Sequence, residues 1–176
     1  MLPGVIRRFL VVAWLIADAV FITGVAGCAY SFTGASVPAH LKTIAIPLVD
    51  DQSGFGEPGL RESFTIQLTN LFINDNSLEV ADRSHADSIL EGVVTSVSDA
   101  PAMIQQGEQV SKRRITVSAR FAFQDMKLRK KVWEKTFSYW GEYQSSGGGA
   151  SQRQVGLQEA VRKLTEDILL ETVSGW

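Results

Sequence analysis

The chain has 176 residues, 17 of them basic and 19 acidic, so its formal net charge is −2 at neutral pH. It has no overall excess of positive charge of the kind that marks nucleic-acid-binding proteins, so any anion binding must come from local clusters. Its single cysteine, Cys28, excludes an intramolecular disulfide. The fold must therefore be stabilised by a hydrophobic core.

The first 28 residues have the pattern of a bacterial lipoprotein signal. A basic pair at residues 7–8 is followed by a mostly apolar run over residues 9–25. The lipobox that follows consists of Val25, Ala26, Gly27 and Cys28. Small residues before the cut are what a signal peptidase needs. The pattern predicts cleavage before Cys28 and lipidation of its thiol.

The alternative is a transmembrane anchor. The apolar run is slightly shorter than the ~20 residues that span a bilayer, and Asp18 interrupts it. Asp18 is also unusual inside a signal sequence, so it counts against both interpretations. The complete order of basic, apolar, small and cysteine residues favours the lipobox.

Cleavage would divide the chain into a signal (1–27), a lipidated tether (28–40) and a single domain (41–176). Two or more acyl chains give stable membrane attachment where one does not, so the domain needs no membrane-binding surface of its own. Asp directly after the lipidated cysteine retains many lipoproteins at the inner membrane. Here that position is Ala29, which favours the periplasmic face of the outer membrane.

In the first half of the domain, Lys42–Leu48 is predicted to be a strand, with Pro47 marking an edge or exit. Residues 49–59 are predicted to be a loop. A helix follows, with an apolar stripe at helical spacing made of Leu60, Phe64, Leu68, Leu71 and Phe72. Residues 74–77 end it, and Leu78–Val80 is predicted to be a short strand.

In the second half, Ser88–Val97 is predicted to be a strand and residues 101–107 a break. Apolar and polar residues alternate over Arg114–Gln124, which predicts a strand with one apolar face. That face contains Ile115, Val117, Ala119, Phe121 and Phe123. Lys131–Tyr143 returns antiparallel, with a matching face of Trp133, Phe137, Tyr139 and Tyr143. We therefore predict a long hairpin.

After a flexible loop at residues 145–151, a final helix has a core stripe of Leu157, Val161, Leu164 and Ile168. The predicted fold is α+β, with two amphipathic helices packed on one face of a roughly four-stranded mixed or antiparallel sheet that includes the hairpin.

Catalytic and metal-binding motifs are missing from the sequence. His40 and His85 have no partner at metal-ligand spacing, and Gly147–Gly149 lacks the context of a phosphate loop. Asp50, Asp51 and Glu57 lie in one loop but without the regular oxygen spacing of a calcium site. We predict no enzyme activity, metal or cofactor. A periplasmic hydrolase using these loop carboxylates is the weakest alternative.

Two basic clusters are the candidate functional residues. The first, here the strand-start cluster, is Lys112, Arg113 and Arg114. The second, the tip cluster, is Lys127, Arg129, Lys130 and Lys131. Such runs are often solvated surface, or charges that protect a sheet edge from aggregation. The functional alternative is recognition of lipid phosphates, for which a tip on a rigid hairpin is the better candidate.

Several segments resemble the LptE family of lipopolysaccharide-assembly lipoproteins. They are G-C-A-Y-S-F-T-G (27–34), H-L-K-T-I-A-I-P (40–47), G-E-P-G-L-R-E (56–62), D-N-S-L (75–78), A-D-S-I-L-E-G (86–92), R-R-I-T-V (113–117) and W-E-K-T-F-S (133–138). The resemblance covers the predicted mature chain in order and implies residence at the outer membrane. It also implies an LptD-like β-barrel partner, whose lumen such proteins plug, and contact with lipopolysaccharide. Assigning that contact to the basic clusters is a hypothesis from their chemistry.

The strand–helix–strand segment is also similar to CsgG-like and TolB-amino-terminal-like lipoproteins of secretion or envelope machines. The hairpin and the Y-S-F-T-G segment after the lipobox favour the LptE family. Both resemblances imply a protein that binds partners, and neither implies nucleic acid.

Overall fold

The hydrophobic patterns of the sequence correspond to regular elements in the computed structural model of the protein, which describes residues 37–102, 112–145, 149–174 and 176. The elements are, in chain order, β1 (Thr43–Ala45), β2 (Asp50–Asp51), α1 (Leu60–Asp75), β3 (Glu79–Val80), β4 (Ser88–Pro101), β5 (Lys112–Asp125), β6 (Lys130–Gln144) and α2 (Gly149–Ser174). The fold class is α+β, as predicted. The signal, the lipobox and most of the predicted break at 101–107 lie outside the described residues.

The strands form one mixed sheet in the order β3-β1-β4-β5-β6, and β2 also pairs with β4. β4, β5 and β6 form a long antiparallel meander. β1 pairs in parallel with both β3 and β4, and β2 pairs in parallel with β4. The predicted hairpin is confirmed, with Val117 opposite Tyr139 and Ala119 opposite Phe137. The predicted face of β5 is buried along its whole length.

Six strands are present in the described chain, where the sequence predicted about four. The prediction of a loop at 49–59 was wrong at its start, because Asp50 and Asp51 pair with Val93 and Val94 of β4. Pro47 has no N–H to donate, and it lies in the gap between β1 and β2; because β1 pairs with both β3 and β4, Pro47 marks an exit from that strand and not a sheet edge. Two residues are too few to show hydrophobic alternation, and this is why the pattern did not reveal β2.

Helix α1 follows the predicted stripe, since Leu60, Phe64, Leu68 and Phe72 are fully buried while Leu71 is partly buried. It ends at Asn76, which adopts a left-handed conformation (φ 59°) and donates its N–H to the Phe72 carbonyl at 3.0 Å. Asn tolerates this conformation better than most residues, and it therefore stops the helix within the predicted segment.

Helix α2 begins at Gly149, inside the segment predicted to be a loop over residues 145–151. The first turn contains no apolar residue larger than alanine, so periodicity places the start of the helix too late. The predicted core stripe from Leu157 to Ile168 is buried.

Both helices cover the same face of the sheet. The Phe64 ring of α1 stacks on Phe121 of β5 with centroids 5.6 Å apart. On α2, Gly156 lies beside Ile115 of β5 and Tyr143 of β6. The opposite face of the meander is polar and partly open to solvent. Within the described part of the chain, neither helix has the length and apolar content needed to span a membrane.

Candidate anion-binding surfaces

The three cations of the strand-start cluster point in different directions because β5 alternates. Arg113 faces the helices, where its Nε donates to Asp99 Oδ1 at 2.9 Å and to the Tyr143 hydroxyl oxygen at 3.1 Å. Arg114 faces the open side of the sheet. Lys112 is exposed at the end of the strand, and its side chain has no hydrogen bond or ion pair with any described residue. The cluster in sequence is therefore not a cluster of free charges.

Arg114 is largely occupied by its own neighbours. Its guanidinium stacks 3.9 Å from the centre of the Trp140 ring and donates to Glu142 at 3.0 Å. Such stacking is favourable for a planar cation. The pairing makes Arg114 part of the structure of the β5–β6 pair and leaves it poorly suited to bind a ligand.

Arg113 borders an open cavity of about 420 Å³ between the ends of the long strands and the start of α2. Asp99 and Tyr143 line it, together with Arg153 from α2. The Tyr143 hydroxyl donates to Asp99 Oδ2 at 2.5 Å. Burial, and then the bond to Asp99, raise the pKa of Tyr143, and the bond to Asp99 raises the pKa of Arg113.

Arg153 is a cation that the sequence analysis missed. It donates to Glu57 at 2.7 Å, and its buried Nε has no hydrogen-bond partner among the described atoms. Glu57 is therefore part of an ion pair with Arg153. Only tertiary packing brings Arg153 to the strand-start cluster, and no sequence signal marked it.

In the tip cluster, Lys127 is a structural residue. Its Nζ donates to the His40 carbonyl at 2.6 Å and lies 2.8 Å from Asp87 Oδ1. The hydrogen bond from Lys127, with lesser help from the backbone N–H groups of Lys42 and Thr43, lowers the pKa of Asp87. Lys127 thus joins the turn of the hairpin to the start of β1 and the start of β4.

The other tip cations are less constrained. Lys131 pairs with Glu134 at 2.5 Å. Arg129, in a left-handed conformation (φ 53°), and Lys130 are exposed, and their side chains have no hydrogen bond or ion pair with any described residue. Of the four residues predicted at the tip, two are therefore neutralised by acids.

The two clusters lie at opposite ends of the sheet. Arg113 and Asp125 are 12 positions apart on the same strand, which corresponds to roughly 40 Å at ~3.3 Å per residue. One phosphorylated headgroup cannot bridge that distance. The clusters must therefore be considered as two separate sites.

The loop carboxylates do not converge. Asp51 accepts the N–H of Ser53 at 2.9 Å, and Asp50 lies 3.8 Å from Arg61. In the part of the chain that the structure covers, no three His, Cys, Asp or Glu side chains are placed to hold a metal ion. His40 hydrogen-bonds Asp125 at 2.6 Å.

The sequence model of the lipopolysaccharide-assembly family LptE matches residues 41–172, which include every helix and strand almost to the end of α2. The chain belongs to the LptE family. No curated protein sequence matches it at a significant level.

Solved structures show that the fold of this LptE-family protein is widespread. A hypothetical protein from Chlamydia trachomatis superposes with a TM-score of 0.56 at 10% sequence identity, over 74% of this chain and 95% of its own. A protein from Xanthomonas campestris superposes with a TM-score of 0.56 at 14% sequence identity, over 80% of this chain and 91% of its own. A chain of the PelC dodecamer from Paraburkholderia phytofirmans superposes with a TM-score of 0.50 at 16% sequence identity, over 77% of this chain and 90% of its own. At these identities the similarity shows a common fold and not a common function.

Proposed function

We propose that this LptE-family chain is an outer-membrane lipoprotein that binds an LptD-type β-barrel and takes part in lipopolysaccharide transport and assembly. The family match over residues 41–172 is the observation that supports it most directly. The predicted lipobox lies a short distance before the matched range, as expected for a domain held on a lipidated tether.

Lipidation of Cys28 is tested by intact-mass analysis of the protein from its native membranes. The expected mass lacks residues 1–27 and includes a diacylglyceryl group on Cys28. Cys28→Ser should abolish the modification and membrane retention, whereas Ser31→Ala, which leaves the lipobox intact, should change neither. A free thiol with a retained leader would overturn the membrane assignment.

The partner is tested by pull-down of the lipidated protein with mass spectrometry. A plug should co-purify with a β-barrel of much larger mass, and its depletion should lower surface lipopolysaccharide. The CsgG-like alternative predicts a large homo-oligomer and no barrel. The similarity to the PelC dodecamer makes native mass measurement the deciding control, because the fold alone is compatible with both assemblies.

For the contact with lipopolysaccharide phosphate we favour the strand-start cluster. Arg113 and Arg153 border a cavity there, and Lys112 is exposed and unpaired in the described structure. Arg forks and a mobile Lys are the groups that recognise phosphate. Arg113 and Arg153 are paired with Asp99 and Glu57, so the unpaired positive charge at this end of the sheet comes from Lys112.

The matched test compares Lys112→Ser with Lys131→Ser, which removes a charge at the opposite end of the sheet. Lys112→Ser should weaken lipopolysaccharide binding several-fold, and Lys131→Ser should not. If the two variants bind lipopolysaccharide with equal affinity, the assignment of the contact to the strand-start cluster is wrong. Lys127 is unsuitable as a test residue, because its replacement also breaks the hydrogen bonds that hold the hairpin turn.

A further inference from the structure

The described chain enters the fold at the turn of the β5–β6 hairpin. His40 Nε2 lies 2.6 Å from Asp125 Oδ2, and the His40 carbonyl accepts a hydrogen bond from Lys127 at 2.6 Å. Asp125 is almost fully buried, so this contact is part of the packed domain. The tether that leads back to Cys28 therefore starts beside the hairpin turn.

The length of the tether limits how the domain can lie on a membrane. His40 lies twelve positions after Cys28, which allows a reach of at most ~43 Å at ~3.6 Å per residue. The far end of β5, at Lys112, is a similar distance from Asp125. The tether keeps the turn within this reach of the acyl chains in every orientation of the domain, whereas the far end comes equally close only if the domain lies flat or the tether runs back along the sheet.

The turn has the composition of a membrane-interface element. Met126 is 41% exposed and Leu128 65% exposed, and Arg129 and Lys130 follow with no ion pair in the described structure. Apolar side chains with adjacent unpaired cations match a leaflet surface, where acyl chains lie below phosphate groups.

The backbone of the turn is held in place before any contact. The Leu128 N–H donates to Asp125 Oδ1 at 2.8 Å, and the Met126 N–H donates to the Asp87 carbonyl at 2.8 Å. Together with the Lys127–Asp87 ion pair, these bonds fix Leu128 in an outward position. A preformed element loses little conformational entropy on binding.

We infer that residues Met126–Lys130, the hairpin tip, dock on the phospholipid surface of the leaflet that holds the acyl chains of Cys28. The inference rests on the lipidation proposed for Cys28 and adds a second, protein-mediated contact to it.

The test uses the full lipidated protein in vesicles of phosphatidylethanolamine and phosphatidylglycerol. Acylation blocks Cys28, the only native cysteine, so Leu128→Cys supplies a single thiol for an environment-sensitive fluorophore. Gln158→Cys, on the exposed side of α2, is the matched control. We expect a blue-shifted emission and quenching by headgroup-labelled lipid at position 128, and water-like emission at position 158.

Replacing Arg129 and Lys130 by Ser should reduce the shift at position 128 and its sensitivity to salt. Water-like emission at position 128 in the parent protein would overturn the inference. A blue shift that requires lipopolysaccharide in the vesicles would also overturn it and would reassign the tip to that glycolipid. The vesicles contain no barrel, so neither result depends on whether the partner in the proposed function is correct.

Discussion

Gly141 of β6 lies directly beneath Gly156 of α2. A methyl group added to Gly141 would come within 2.0 Å of the Gly156 carbonyl oxygen, and one added to Gly156 would meet side chains of Ile115 and Tyr143 at 3.2 Å. The two glycines therefore set how closely the helix approaches the sheet. The obstruction at Gly141 is backbone, which cannot rotate away as a side chain can.

We predict that Gly141→Ala destabilises the protein by about 2–3 kcal/mol, because α2 must move off the sheet. Gly156→Ala should cost less, since it gains up to about 1 kcal/mol of helix propensity and its tightest new contacts, at 3.2 Å, are with side chains. Urea denaturation of the two variants measures the difference. An equal loss in both would show that the helix–sheet distance is not set at Gly141.

The contact between Lys127, Asp87 and His40 is predicted to stabilise the domain. Lys127→Met should lower the free energy of unfolding by about 1 kcal/mol, a value reduced by the half-exposed position of Lys127. Lys131→Met, which removes only an exposed pair with Glu134, is the control and should leave the urea midpoint unchanged. A Lys127→Met variant as stable as the parent would contradict the structural role.

The same contact predicts an acid dependence. The hydrogen bond from Lys127 lowers the pKa of Asp87 in the folded state, so the ionised carboxylate stabilises the fold above its ordinary pKa of about 4. This stabilisation is lost as the pH falls through the lowered pKa. The stability difference between the parent protein and Lys127→Met should therefore be largest near neutral pH and shrink below about pH 4. A difference that does not change with pH would argue against the ion pair.

Tyr143 is predicted to ionise at a higher pH than an ordinary tyrosine, because burial and its hydrogen bond to Asp99 raise its pKa. The neutral hydroxyl is the form that stabilises the fold, so this stabilisation is present below pH ~10 and lost as the pH rises through the raised pKa. Alkaline absorbance titration of the parent protein and Tyr143→Phe should isolate a late-titrating group. Asp99→Asn should move that group towards pH 10, and an unmoved group would exclude Asp99 as a cause.

The Phe121 ring lies over Gly92 of β4, where an added methyl group would come within 2.2 Å of the ring. We predict that Gly92→Ala destabilises the protein by about 1–3 kcal/mol through overpacking. In a Phe121→Leu background the same change should cost less, because the smaller side chain leaves room. A double-mutant cycle by urea denaturation measures this coupling, and strictly additive losses would contradict it.

The elements that could be predicted were those in which many residues repeat one pattern. The alternation around Phe121 and the stripe around Phe64 each extend over three or more repeats, so the hairpin, both helices and the buried face were correct. Strand β2 and the first turn of α2 lack such a repeat. Their positions follow from Pro47 and from packing, and a pattern in the sequence cannot show either.

The sequence by itself indicated the α+β class, the core stripes and, through the LptE-like segments, the family. It also predicted the lipobox at Cys28. Each of these depends on residue type and local spacing. Tertiary structure alone decided which cations are free. Asp87, Asp99 and Glu142 approach Lys127, Arg113 and Arg114 from 14 to 40 positions away along the chain, and the charge left on a surface depends on such distant partners. For the same reason only the fold could place Arg153 beside Arg113 and the tether beside the hairpin tip.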